Sequence, residues 1–205
     1  MNQPHSPPPV DAQLVTPAEL PAAAQTLARA FYADPVWSWA FPDSRGRLEQ
    51  IRSIWRLVAE AAVAYRSAWR VEECAAVALW IPPGRPELRP EDEERLEPLL
   101  REMLGEGATR VLDTFERFEA AHPQDQPHYY LSLLATNPDC SGRGLGMGLL
   151  ADTLARIDAE GAPAFLESSN PANTPRYERL GFAVCGEFEL SEDGPSVTQM
   201  WRDPA

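Results

Sequence analysis

The stretch SGRGLGMGLL, residues 141–150, places glycine at 142, 144, 146 and 148 and then runs into leucine. Glycine is a poor helix former, so a helix that opens on it needs bare backbone for some other purpose. Met147, Leu150, Leu154 and Ile157 share one face, which predicts a helix reaching Glu160 and stopped by Gly161. Such a helix presents unpaired N–H groups and a partial positive charge at its start, and phosphate is the usual occupant. A merely tight turn would not carry its glycines on into the helix. A dinucleotide motif, G-x-G-x-x-G, fails on spacing: counted from Gly142 or Gly144, the third glycine position is Met147 or Leu149. Glu167 stands where a ribose-binding acid would, yet too little chain follows Gly144 to build a doubly wound sheet.

Around this loop the chain alternates in rhythm. HYYLSLLAT (128–136) and AFLESS (164–169) read as strands, followed by a short helix and two further strands. On the N-terminal side a short strand is expected at 13–15. Thr16-Pro17-Ala18-Glu19 then reads as a capping box opening a helix with Leu20, Ala24, Leu27 and Phe31 on one face, ended before Asp34-Pro35. After the aromatic run VWSWAF (36–41), Ser44 is expected to cap a helix carrying Leu48, Ile51, Trp55, Val58 and Ala62. Strands at 68–71 and 75–81 and helices at 91–104 and 108–121 complete the pattern. Residues 87–97 carry six acids against two arginines, which reads as a solvated helix face without function. The alternation indicates a mixed α/β fold.

With 205 residues, 44% of them hydrophobic, the chain suits one domain, expected at 12–205 behind a disordered proline-rich leader at 1–11. Its net charge of −13 argues against nucleic acid and is compatible with a cationic amine. All 18 basic residues are arginine; without lysine, P-loop, pyridoxal-phosphate and Schiff-base chemistries are excluded. Cys74, Cys140 and Cys185 are widely spaced and odd in number, which points to a reducing cytoplasm and to no metal site. No apolar run is long enough for a membrane span.

TNPDCSGRGLGMGLL (136–150), followed by PAFLESSNPANTPRYERLGF (163–182), resembles the GCN5-related N-acetyltransferases (GNAT). The second stretch is similar to the branch containing puromycin N-acetyltransferase. The resemblance implies a mixed central sheet, splayed at the cofactor site, with helices on both faces. It implies an enzyme moving an acetyl group from acetyl-coenzyme A to an amine of a small molecule by direct attack in a ternary complex. A coenzyme-A-responsive binding module and a longer-chain acyltransferase are the alternatives, and a homodimer is left open. Ser141, Gly142, Arg143, Gly144, Leu145, Gly146 and Met147 would surround the pyrophosphate. Leu134, Ala135 and Thr136 would pair with the pantetheine arm, the Leu134 amide serving the thioester carbonyl, and Asn173 would touch the same arm. Ser141 departs from the glutamine or arginine of the family's loop.

Tyr177, in the Tyr-x-x-x-Gly-Phe stretch, is the family's general acid by position; a phenol of pKa ~10 suits a departing thiolate. For the base, Glu167 leads, with His128, Tyr130, Glu72 and Glu73 as competitors. Cys140 has no histidine near it in sequence and reads as a bystander. Trp37, Trp39 and Phe41, with His128, are the expected acceptor-site residues, the rings being equally suited to the helical core.

Overall fold

A computed structural model describes residues 7–205, so the first six residues of the expected leader lie outside the described ones. The seven strands form one sheet in the order β1 (Gln13–Leu14), β2 (Ala68–Val71), β3 (Ala76–Ile81), β4 (Tyr129–Thr136), β5 (Ala164–Ser168), β7 (Ser196–Arg202), β6 (Ala183–Glu189). Every neighbouring pair is antiparallel except β4 and β5.

That parallel pair matters most. It registers only Tyr129, Tyr130 and Leu131 against Ala164, Phe165 and Leu166. On its other side β4 carries one extra residue, Ser132, because Leu79 faces Leu133 while Trp80 faces Leu131. Such a bulge bends its strand. Beyond it β4 stays with β3 to Thr136 and β5 stays with β7 to Ser168, so the two strands part and a wedge opens between them. The mixed, splayed sheet read from the sequence is the one observed.

Helices cover both faces. α1 (Leu20–Phe31), α2 (Pro35–Ala40), α3 (Arg47–Ala64), α4 (Pro90–Leu104) and α5 (Ala108–Ala121) bury Leu27, Ile51, Trp55 and Leu100 against Val77, Leu79 and Leu133. α6 (Leu145–Ala159) buries Leu149, Leu150 and Leu154 against Trp80, Leu131 and Met200. With a layer on each side, all six residues of β3 are buried, which explains its unbroken apolar run.

Three local expectations change. Ser44 caps nothing: Asp43 Oδ1 accepts the Arg45 N–H at 3.1 Å in a turn, and α3 begins at Arg47 behind Gly46. The aromatic run folds as α2, because Asp34 Oδ1 accepts the N–H groups of Val36 (3.0 Å) and Trp37 (3.3 Å) and Pro35 occupies the first turn. The acidic run is not simply solvated: Asp92 has no exposed surface and lies between Arg89 and Arg95. The capping box of Thr16 is observed, with Glu19 Oε2 accepting the Thr16 N–H at 2.9 Å. Within the span expected as leader, Pro8 and Val10 already pack on α6. A β-carbon on Gly148 would stand 2.5 Å from the Pro8 carbonyl oxygen and 2.8 Å from Val10 Cγ1.

Candidate active site

The wedge leads into a cavity that is open to solvent at its mouth. Its sheet side is formed by residues 130–134 of β4, by 166–169 around the end of β5, and by Glu87. Its helical side is aromatic: Phe31, Trp37, Trp55, Phe115 and Phe118. Asn173 and Tyr177 close it beside α7 (Thr174–Glu178).

The backbone of β4 reaches into the wedge. Asn137 donates its N–H to Ala75 O at 2.8 Å, on the β3 side. Backbone groups alternate sides along a strand, so Ala135 also faces β3, whereas Leu134 and Thr136 turn theirs toward the gap. A loop then leads from β4 to α6, and its anchor is on α1: Arg29 donates to Asn137 Oδ1 (3.0 Å) and to both carboxylate oxygens of Asp139 (2.8 and 3.0 Å).

At the head of α6, Gly144 takes the left-handed conformation (φ 75°) and no side chain caps the first turn. The N–H groups of Leu145, Gly146 and Met147 therefore have no helical partner. Gly146 is required by proximity: its β-carbon would lie 2.5 Å from Thr136 Oγ1, so the helix start presses directly on the end of β4. Around it Ser141, Gly142 and Arg143 are exposed. Arg143 pairs through two nitrogens with Glu72 (3.0 and 2.5 Å), and this engagement keeps Glu72 on the β2–β3 turn, outside the cavity lining. Glu73 and Cys140 are likewise outside that lining. Orphaned N–H groups on a helix dipole suit a diphosphate, and the resemblance assigns one there.

Three carboxyls meet the cavity. Glu167 Oε2 accepts the Tyr130 hydroxyl at 3.0 Å, while its buried Oε1 has no partner; cross-strand Gln199 sends its amide to Ala121 O instead. Burial, and secondarily the neighbouring Glu87, push the Glu167 carboxyl up to about 8. Glu87 accepts the Ser132 hydroxyl, and burial raises it too. Asp34, the cap of α2, also accepts Ser169 Oγ at 2.7 Å; burial outweighs its three hydrogen bonds and raises it. Burial, and then the negative charge of Asp34, hold the Tyr177 phenol up at about 12.

Of the residues expected at the site, Leu134, Glu167, Asn173, Tyr177 and Trp37 line this one cavity. Ala135 is buried in the helical-side core, and Thr136 leads on to the glycine loop. Trp39, Phe41 and His128 do not line it. Trp39 lies under the Arg110 guanidinium (5.3 Å), Phe41 is buried in the core, and His128 Nε2 lies 3.1 Å from His122 Nε2. Sequence reasoning missed Asp34, Glu87, Trp55, Phe115 and Phe118. Asp34-Pro35 carried a helix-start signal that served only as a stop signal; the others come from segments distant in sequence, and no local pattern marks them.

Residues 118–203 match the family model described as acetyltransferase (GNAT) domain. An uncharacterised N-acetyltransferase of Schizosaccharomyces pombe is 25% identical over 200 residues, spanning 89% of this chain and 78% of the relative. A solved Corynebacterium glutamicum structure, described as histone acetyltransferase HPA2 and related acetyltransferase, superposes with a TM-score of 0.71 at 26% identity. The match covers 96% of this chain and 97% of that one. Agmatine N-acetyltransferase (TM-score 0.63, 14% identity, 95% of this chain and 99% of that one) shares the fold. So does arylalkylamine N-acetyltransferase 2 of Aedes aegypti (TM-score 0.60, 10% identity, 96% and 99%).

Proposed function

We propose that this chain, whose residues 118–203 match the acetyltransferase (GNAT) domain model, transfers an acetyl group from acetyl-coenzyme A to an amine of a small molecule by direct attack. One observation carries the reading: a single cavity holds the gap-facing amide of Leu134, the partnerless oxygen of Glu167 and Tyr177, beside an uncapped helix start. Acetyl-coenzyme A supplies an activated thioester. The amides of Leu145, Gly146 and Met147, with the loop from Ser141 to Gly144, would hold its diphosphate. Leu134, Thr136 and Asn173 would hold its pantetheine arm.

The residues then divide the proton and charge work. Glu167 takes the proton that the amine loses as its nitrogen bonds to the acetyl carbon; the free Oε1 is the receiving atom. The Leu134 N–H donates to the carbonyl oxygen as negative charge collects there, a stabilisation prepared before the reaction begins. Tyr177 gives its proton to the sulfur as the carbon–sulfur bond breaks. With the phenol near 12 it keeps that proton throughout the neutral range. The agmatine and arylalkylamine enzymes that share the fold take amines, which supports a small amine acceptor; the likeness to the puromycin N-acetyltransferase branch does so too, without naming one.

The test is Tyr177→Phe, followed by thiol release from acetyl-coenzyme A with an amine panel. Turnover is expected to fall about 10²- to 10⁴-fold, with acetyl-coenzyme A binding retained. Equal turnover of variant and parent, or thermal stabilisation by NAD and not by acetyl-coenzyme A, would overturn the assignment.

A further inference from the structure

The cavity has two chemically different sides. Five rings from four helices form one cluster on the helical side. Trp37 stands edge-on to Trp55 (centroids 4.5 Å apart), stacks on Phe118 (5.9 Å) and lies 5.6 Å from Phe115, and Phe31 meets Trp55 at 5.8 Å. Trp55 is only 2% exposed and lines the cavity, yet its Nε1–H has no hydrogen-bond partner. A buried donor left unpaired costs free energy unless something else meets it.

Of the three carboxyls, Glu87 and Glu167 lie on the sheet side and Asp34 caps α2 on the helical side, and they are unequally engaged. Asp34 is occupied by two backbone amides and Ser169. Glu167 is engaged through one oxygen by Tyr130. Glu87 has only the Ser132 hydroxyl. Glu87 and Glu167 line the same cavity, where the Glu87 charge disfavours that of Glu167, and a cation between them would relieve that repulsion.

We propose that the acceptor is an aromatic monoamine bearing an oxygen on or near its ring, with its ammonium captured by Glu87 and its ring lodged among Trp37, Trp55, Phe115 and Phe118. This rests on the acetyl-transfer reading only in taking the bound amine to be the one acetylated. Glu87 is a binding and specificity residue, distinct from Glu167: the captured ammonium first gives one proton to solvent through the open mouth, freeing its lone pair, and Glu167 takes the second as the nitrogen bonds to the acetyl carbon. The ring oxygen accepts the Trp55 Nε1–H. A linear polyamine fits poorly, because the helical side offers a second ammonium only rings and an Asp34 already engaged by three donors.

Tyramine, phenethylamine and spermidine distinguish the possibilities, each assayed twice: by quenching of tryptophan fluorescence without acetyl-coenzyme A, and by thiol release with it. Tyramine should bind more tightly than phenethylamine, and both at least tenfold more tightly than spermidine. Glu87→Gln should raise the tyramine KM about tenfold or more, with the loss in KM rather than kcat. Trp55→Phe should erase the preference for tyramine over phenethylamine. Spermidine bound or acetylated in preference to the aromatic amines overturns the proposal, whichever variant folds; so does a tyramine KM unmoved by Glu87→Gln. Saturable tyramine quenching that Glu87→Gln weakens, without thiol release from any amine, upholds the site while sinking the acetyl-transfer reading.

Discussion

Glu167 shows how environment overrides residue type. An ordinary carboxylate is a weak base at neutral pH, but burial, with Glu87 nearby, brings this one to about 8 against the opposing hydrogen bond from Tyr130, a value suited to proton uptake from an amine. Its basic form grows as pH rises, so kcat/KM is expected to climb about tenfold per pH unit below 8 and level off above it. Glu167→Gln should abolish that climb; a pH–rate series on both proteins checks it, and an unchanged slope in the variant removes Glu167 from the role of base. The sequence could point to Tyr177 and Glu167, both of which line the cavity, because both lie inside the contiguous stretch 163–182 that carries the resemblance. Glu87 lies outside that stretch. It belongs to an acidic run whose average says solvent, and only the fold shows that Glu87 turns to the cavity while Asp92 is buried against Arg89.

Helix starts illustrate the same limit one level up. Thr16, Pro17 and Glu19 form a complete local signal, and the structure follows it. Ser44 had the residue type but not the geometry, since Asp43 draws the next amide into a turn. The glycine-rich start of α6 was recognisable as backbone bare of side chains, but the reason for one glycine is tertiary: Gly146 is bare because Thr136 lies against it. Gly146→Ala should therefore push the helix start off β4 and weaken acetyl-coenzyme A binding. Adding Thr136→Ala should restore it, because the next atom, Thr136 Cβ, would be 3.9 Å away, an ordinary contact. Calorimetric titration of the single and double variants is the measurement; a double variant no better than Gly146→Ala would refute this packing account.

For the molecule as a whole, the alternation of strands and helices was legible from period and the layered, splayed sheet from the resemblance, whereas the pairing of distant side chains was not. His128 appeared alone on its strand, yet it is packed against His122 of a preceding segment. His122 and Glu167 pull stability in opposite directions with pH. Glu167 holds its proton longer folded (about 8) than unfolded (4.5), so its contribution declines as pH rises between those values. His122, lowered by burial to about 4 from 6.5, gives up its proton more readily when folded, so stability is lost as pH falls from 6.5 toward 4. Melting temperatures across pH 4 to 8 should show the first slope flattened in Glu167→Gln and the second in His122→Phe; parallel curves for parent and variants would contradict both assignments.

An unpaired strand margin on the outside of a protein invites another polypeptide to dock there and aggregate. Here the vacant rungs beyond Leu131 face inward, sheltered by the chain's own flanks. The molecule can thus offer ladder positions to a slender guest while denying them to a neighbouring chain.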